Sequence, residues 1–359
     1  MATQTLPEFI SQVTGLGNFG VAGEFLAAIV GAGIIGTIML TYTGIAGPWA
    51  KRKITAAFTD RYAANRMGPF GLLTIPADAI RLLSKELIIP ERVDRPAFDL
   101  APLVVAGSAL FAFAVIPMGS LFGINMQIAD PEAGLAYAFA VASIATLGLT
   151  MAGYASSNKF SFMGSLRAIA QNIAYEIPLV LTGASVVIFA GSLQMSEIVA
   201  AQTISGGAEP LLSVAGLQIP PWFAFVNPFA FVLFTIANIA EVGRNPFDIP
   251  EAPTEIVAGY QTEYSSVYFV LIYLGEFLHI FLGGAIAATL FLGGPAGPVL
   301  PGFIWFTIKI WAFFLLTQWA RSAVPRVRID QLIEIGWKGM LVLSFANLLL
   351  TAVLVGVIA

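Results

Sequence analysis

The chain has 359 residues, of which 58% are hydrophobic and only 11% charged, with a formal net charge of −4. Soluble domains carry about 25% charged residues, so a surface this poor in charge is not expected to face water, and the bilayer is its expected solvent. Cysteine is absent and His279 is the only histidine. This excludes a thiolate-bound iron–sulfur cluster or a bis-histidine haem held by this chain, and no basic stripe suggests nucleic acid.

A membrane-crossing helix needs about 20 apolar residues. Eight stretches meet that length: Phe25–Trp49, Leu100–Met118, Leu135–Tyr154, Ile173–Ser192, Trp222–Ala240, Ser265–Leu292, Phe303–Ala320 and Lys338–Ile358. The expected fold is all-α, a polytopic membrane protein of about eight helices forming one domain. The first 23 residues contain neither Lys nor Arg and lead straight into the first stretch, so a cleaved signal peptide is not expected.

Basic residues provide an independent test of this division. Nine lie between the first two stretches (Lys51, Arg52, Lys53, Arg61, Arg66, Arg81, Lys85, Arg92 and Arg95). Lys159 and Arg167 follow the third, Arg244 the fifth, and Arg321, Arg326, Arg328 and Lys338 the seventh, so sixteen of the seventeen fall on one side. The positive-inside rule makes that side cytoplasmic and leaves both termini outside. Residues 51–98 are too polar to cross, and Ile54, Phe58 and Tyr62 form an i, i+4, i+8 stripe among the bases of Lys51–Arg66. The stripe predicts an amphipathic helix in the interface; a solvated basic loop is the alternative.

Ionisable groups at membrane depth point to function. Glu176 sits in Tyr175-Glu176-Ile177-Pro178, where Pro178 cannot donate to the Ala174 carbonyl; a glutamate reaching back to the interface is the plainer reading. The densest cluster runs from Glu241 through Asp248, Glu251, Glu255 and Glu263 to Glu276, six acids with Arg244 as the single base. Pro246, Pro250 and Pro253 forbid a continuous helix there. A solvated acidic loop would explain the run, but its acids alternate with Phe247, Ile249, Ile256, Val257 and Tyr260. Carboxylates crowded in low dielectric raise one another's pKa and titrate as a set, which suits a proton path. Arg244, flanked by Asp248 and Glu251, is expected to pivot between acids of its own loop, with a static docking contact to a partner as the alternative. One His and one Glu are too few for a metal site at His279 and Glu276, so a hydrogen-bonded buried histidine is expected. Lys309, within the seventh stretch, is expected to face a carboxylate or a water-filled cavity, or to extend to the interface.

Longer motifs carry a family resemblance. Gly153-Tyr154-Ala155-Ser156-Ser157-Asn158-Lys159-Phe160-Ser161, Leu166-Arg167-Ala168, Tyr175-Glu176-Ile177-Pro178-Leu179, Ala240-Glu241, Pro246-Phe247-Asp248, Pro250-Glu251 and Glu263-Tyr264-Ser265 resemble the quinone-site membrane subunit family of complex I, known in mitochondria as subunit 1. So do Asn65-Arg66-Met67-Gly68-Pro69-Phe70-Gly71, Lys85-Glu86 with Ile89-Pro90, and Pro325-Arg326-Val327-Arg328 with Asp330-Gln331-Leu332.

The resemblance implies the membrane subunit of a proton-pumping NADH (or analogous donor):quinone oxidoreductase in a prokaryotic cell membrane. That subunit is catalytically incomplete alone, has quinone as its substrate and binds no metal. Implied partners are a hydrophilic quinone-reducing module carrying an iron–sulfur cluster, antiporter-like membrane subunits and membrane lipid. Glu176, Glu241, Glu251, Glu255, Glu263 and Glu276 correspond to the family's acidic chain, and Arg244 and Asp248 to its coupling loop. Arg66, Asp78, Lys85, Glu86, Arg326 and Arg328 correspond to the quinone tunnel and docking surface. Three positions depart from the family pattern: Lys51 replaces a usual Glu, Ala63-Ala64 a usual Gly-Pro, and Pro253 a frequent acid. The membrane subunit of an energy-converting hydrogenase and, more distantly, an autonomous secondary transporter are the competing readings.

Overall fold

The computed structural model describes residues 4–16, 20–121, 123–204, 212–214, 217–252, 255–297 and 300–358; Pro253 lies outside them. A short helix α1 (Leu6–Thr14) packs on α2 (Val21–Thr41). A π-helical turn (Tyr42–Ala46) carries α2 directly into α3 (Gly47–Phe58), so one helical rod spans 38 residues. The amphipathic stripe of Lys51–Arg66 is helical only as far as Phe58, and residues 59–68 form turns and bends. The amphipathic helix of this region is instead α4 (Thr74–Leu83), which buries Ile75 and exposes Ile80 and Leu83. The Arg52–Asp78 ion pair (2.7 Å) links it to α3.

Six more long helices follow: α5 (Arg95–Phe113), α6 (Gly134–Ala155), α7 (Lys159–Ala190), α11 (Ser266–Phe291), α12 (Gly302–Ala323) and a run in which α13 (Ile329–Glu334) passes through a π turn into α14 (Leu341–Ile358). Together with the first rod, these seven are long and apolar enough to cross a membrane. At about 1.5 Å per residue, even the 19-residue α5 matches a hydrocarbon core about 30 Å thick.

Two of the expected stretches take a different form. The fourth begins well before Ile173, because α7 starts at Lys159, where Asn158 accepts from the Phe160 amide (2.9 Å) and caps it; α7 then continues for 32 residues with Pro178 inside it. The fifth is broken into α9 (Phe223–Val226) and α10 (Pro228–Glu241). Pro228 cannot extend the preceding turn, and the Asn227 side chain accepts from the Ala230 amide (3.1 Å) to start the helix again. Among the smaller elements are α8 (Met195–Ala200) and a three-stranded patch of Gln4–Thr5, Ser120–Leu121 and Ile124–Asn125.

α11 is the innermost helix, with every residue from Ile280 to Phe291 buried. α2 and α14 lie at the rim, where Phe25, Ile29, Leu350 and Val353 are more than half exposed. Such surfaces are costly in water and ordinary in lipid. Helices in apolar solvent associate through close packing of small residues. Val105 of α5 shows how close: a Cβ added at Gly275 of α11 would approach its Cγ1 to 2.9 Å, and one added at Gly148 of α6 its Cγ2 to 2.6 Å.

The division of bases between loops yields a topological prediction. Single cysteines replacing Arg81 and Glu132, introduced into a chain with none of its own, should react with an impermeant maleimide from opposite faces of sealed vesicles. Reaction from the same face would refute the division.

Candidate functional site

The acids of the 241–276 run converge where α10 ends and α11 begins. α10 stops at Glu241, and Gly243 (φ +67°) takes the left-handed conformation that turns the chain away. From there to Tyr264 the described residues form no α-helix or strand and are pinned on several sides. The Val327 amide donates to Pro246 O (3.0 Å), the Ser161 hydroxyl to Tyr260 O (3.1 Å), and Tyr264 stacks on Phe98 with ring centroids 4.2 Å apart. Val257 is held at φ +61°, a strained conformation for a β-branched residue.

At the centre Arg244 and Glu276 form an ion pair of 2.9 Å, with side chains only 5% and 10% exposed. The second Glu276 oxygen accepts from the Tyr260 hydroxyl (2.6 Å) and from Gln261 Nε2 (2.6 Å). Gln261 Nε2 also donates to Glu251 (3.0 Å), which joins the two carboxylates through one amide. The Arg244 guanidinium lies over the Phe277 ring, 5.2 Å from its centroid. The expected partners within the loop are therefore replaced by a residue of the membrane helix α11: no ion pair within 4 Å joins Arg244 to Asp248 or Glu251 among the described residues. The reason is geometric, since the turn at Gly243 aims Arg244 across at α11 rather than along its own stretch of loop.

Burial sets the electrostatics of the loop. It pushes the Glu251 carboxyl well above the usual carboxylate range, and Glu276 adds to the rise while Arg244 opposes it. Burial disfavours the Arg244 charge, but Glu276 and Glu251 more than offset this and raise its pKa. Burial also raises Asp248, against the pull of Arg244, Arg321 and Arg326; its Oδ1 is buried without a hydrogen-bond partner. The Tyr260 hydroxyl is raised by burial and then by Glu276 and Glu251.

A cavity of about 80 Å³ adjoins this cluster and is lined by Glu241, Glu251, Glu276, His279, Gln171 and Asn238, among others. Each water needs roughly 10–15 Å³ of such space, so the cavity has room for several. Gln171 Oε1 and Asn238 Oδ1 are buried there with no protein hydrogen-bond partner, and waters would satisfy both.

The remaining expected residues lie apart from this centre. Glu176, half-buried on α7, is the charged neighbour of Glu241 but does not line the cavity. Glu255 is 51% exposed and pairs with Arg167 (2.5 Å) and Arg326 (3.8 Å). Glu263 accepts from Asn158 Nδ2 (2.5 Å) and borders a separate open cavity with Arg92 and Lys159. Asp78 serves the α3–α4 ion pair. Arg66, Lys85 and Glu86 are exposed, as is Arg328, paired with Asp330 (2.9 Å).

His279 is a hydrogen-bonded histidine, with Ser108 Oγ at 3.2 Å and Val105 O at 3.3 Å. Among the described residues Lys309 forms no ion pair within 4 Å, and it does not line the cavity. Its ammonium donates to the carbonyls of Leu292, Gly294 and Ala296 (2.6, 2.7 and 2.8 Å) beyond the end of α11, beneath the Trp222 ring. The free carbonyls of a helix end are a natural seat for a cation. Gln261, Gln171 and Asn238 were missed from the sequence because a search for ionisable groups passes over amides; the adjacency of Gln261 to Tyr260 was the available signal.

The sequence model of the NADH dehydrogenase family matches residues 31–352. The chain belongs to that family. It is 44% identical over 308 residues to an NADH-quinone oxidoreductase subunit of Geobacter metallireducens, covering 84% of this chain and 89% of that one. It is also 44% identical to the corresponding NADH-quinone oxidoreductase subunit of Dehalococcoides mccartyi over 304 residues (85% and 80%), and 41% identical to that of Bacillus cereus over 342 residues (94% and 93%). All the residues of the Arg244–Glu276 cluster lie within the region that the family model matches.

The cluster yields two predictions. Arg244→Gln and Glu276→Gln should each destabilise the protein by about 3–5 kcal/mol, because each strands a buried charge. The double replacement should recover part of that loss, and thermal unfolding in detergent measures the cycle. Arg244 also draws the Glu251 pKa down, so Arg244→Gln should leave Glu251 protonated to higher pH. Infrared titration of the protonated carboxyl band, assigned with Glu251→Gln, should show an upward shift; a downward one would contradict this electrostatic account.

Proposed function

We infer that this chain is the membrane subunit of a quinone-reducing respiratory complex, and that it couples quinone chemistry to proton movement through its buried acids. The observation that carries this reading is the Arg244–Glu276–Gln261–Glu251 cluster beside a polar cavity that reaches Glu241. A scaffold gains little from such an arrangement, since a buried ion pair seldom outperforms apolar packing. The names of the relatives supply the quinone and the complex. The cluster supplies groups that can hold or release a proton in response to a nearby charge.

In this reading quinone enters laterally from the bilayer, between the first helical rod, α11 and the segment that follows α3. An iron–sulfur cluster in a hydrophilic partner module reduces it. That module docks on the basic side, where Arg66, Lys85, Glu86, Arg326 and Arg328 are placed, with Glu255 tying Arg167 and Arg326 together beneath it. A charge appearing at the quinone head shifts the balance between Arg244 and its two carboxylates. Asp248, raised by burial and facing three arginines, responds to the same field. The proton passes by way of Glu251 and Glu276, through cavity waters, to Glu241 and its neighbour Glu176, and on to antiporter-like subunits. Glu263 borders the separate open cavity and takes no part in that step. In this reading the docking side is cytoplasmic and the termini lie outside, which the distribution of bases supports.

The test separates chemistry from assembly. Glu241→Gln and Glu176→Gln preserve shape and remove a titrating group. In assembled enzyme at normal abundance, both should lose most quinone reductase activity and most proton pumping in proteoliposomes. Normal pumping in both would sink the acidic-chain assignment.

A further inference from the structure

The coupling step inferred above leaves two features unused: Glu263, and the motif at residues 153–161 where α6 passes into α7. The structure brings them together. Asn158, the residue before α7, uses both ends of its side chain. Its Oδ1 accepts from the Phe160 amide (2.9 Å) and caps the helix, while its Nδ2 donates to Glu263 (2.5 Å). One side chain therefore ties the last acid of the loop to the start of the helix that carries Glu176.

That bond is one of a series. Ser161, further along α7, donates to Tyr260 O (3.1 Å), and Arg167 pairs with Glu255 (2.5 Å). Between them Gly164 lets the loop backbone lie directly on the helix, since a Cβ there would approach the Tyr260 amide nitrogen to 2.7 Å. Successive turns of α7 thus hold the loop at Glu263, Tyr260 and Glu255. The turn that presents Asn158 is itself fixed. The Ser157 hydroxyl donates to Arg92 O (2.6 Å), and the Asp94 amide to Ala155 O (3.1 Å). Ser157 holds φ +49°, a conformation that persists in a serine only where the surroundings impose it.

Glu263 is poorly placed to carry a proton along the acidic series. It does not line the cavity that holds Glu241, Glu251 and Glu276, and borders instead an open one with Arg92 and Lys159. Among the described residues it forms no ion pair within 4 Å. It is well placed, however, to hold Gln261 and Tyr260, two and three residues earlier, whose side chains donate to Glu276. We propose that Glu263 is a positioning residue: held by Asn158, it keeps Tyr260 and Gln261 on Glu276 and transfers no proton itself. The proposal rests on the coupling reading above, which gives Glu276 its function.

The test exchanges donor and acceptor in the assembled complex, reconstituted in proteoliposomes. Asn158→Asp keeps a residue that caps helices well but sets two carboxylates against each other. It should speed amide hydrogen exchange in residues 259–264 about tenfold, the usual loss of a hydrogen bond to a charged group. It should also lose most of the protons pumped per electron while quinone reduction continues. Glu263→Gln alone keeps an acceptor for Asn158 and should retain most pumping. Asn158→Asp combined with Glu263→Gln reverses the bond, the new amide donating to the new carboxylate, and should restore both exchange protection and pumping. If Asn158→Asp alone fails to assemble, the combination should restore assembly. Unchanged exchange or unchanged pumping in Asn158→Asp would overturn the proposal, as would a combination that restores nothing. Loss of pumping in Glu263→Gln would overturn it as well, and make Glu263 a proton carrier. Failure of the coupling reading is seen separately, as normal pumping in Glu241→Gln, and none of these variants alters Glu241.

Discussion

The constraint on which this structure turns is the ion pair between Arg244 and Glu276, both almost wholly buried. Two charges out of water survive only if each is fully engaged. Here the engagement comes from opposite directions: Arg244 arrives on a loop that has just left α10, and Glu276 on the innermost helix, α11. The loop must therefore lie against α11, and its prolines and left-handed residues are the means by which an irregular backbone keeps that position. Tyr260 and Gln261, later in the same loop, return to bond the same carboxylate, so the loop is closed around one residue of the membrane helix.

That closure gives the loop its sensitivity. Glu251 and Glu276 both accept from the Gln261 amide, and both act on the same neighbouring cation, Arg244. A proton gained by either changes what Arg244 holds. Asp248 feels the same arginine, and one of its oxygens has no hydrogen-bond partner. In the proposed function a small external charge biases this assembly, which requires alternative charge arrangements close in energy.

The internal cations show three solutions to one cost. Arg244 is compensated by a carboxylate, Lys309 by three backbone carbonyls at a helix end and a Trp ring. Lys51 has only aromatic rings and a distant hydroxyl. The difference separates roles: Lys309 fastens the far end of α11 to α12, whereas Lys51 sets the end of the first rod against the rings of α11.

Much of this could be read from the sequence. Apolar stretches fixed by hydrocarbon thickness, and motifs long enough to exclude coincidence, carried the all-α membrane architecture and the family. The acids around residue 250 stood out because charge between apolar residues is costly wherever it is buried. What the sequence could not supply was pairing across distance. That Arg244 meets Glu276, that Lys309 caps α11, and that Glu255 turns outward to Arg167 and Arg326 depend on helix packing and on the exit angle at Gly243, not on spacing along the chain. The stripe through Tyr62 suggested a longer interfacial helix because periodicity records only which residues share a face; it does not record where the backbone leaves the helix after Phe58. The tertiary structure decided which ionisable groups are buried together. Burial, more than the identity of the groups, determines whether a carboxylate is a surface charge or a carrier of protons.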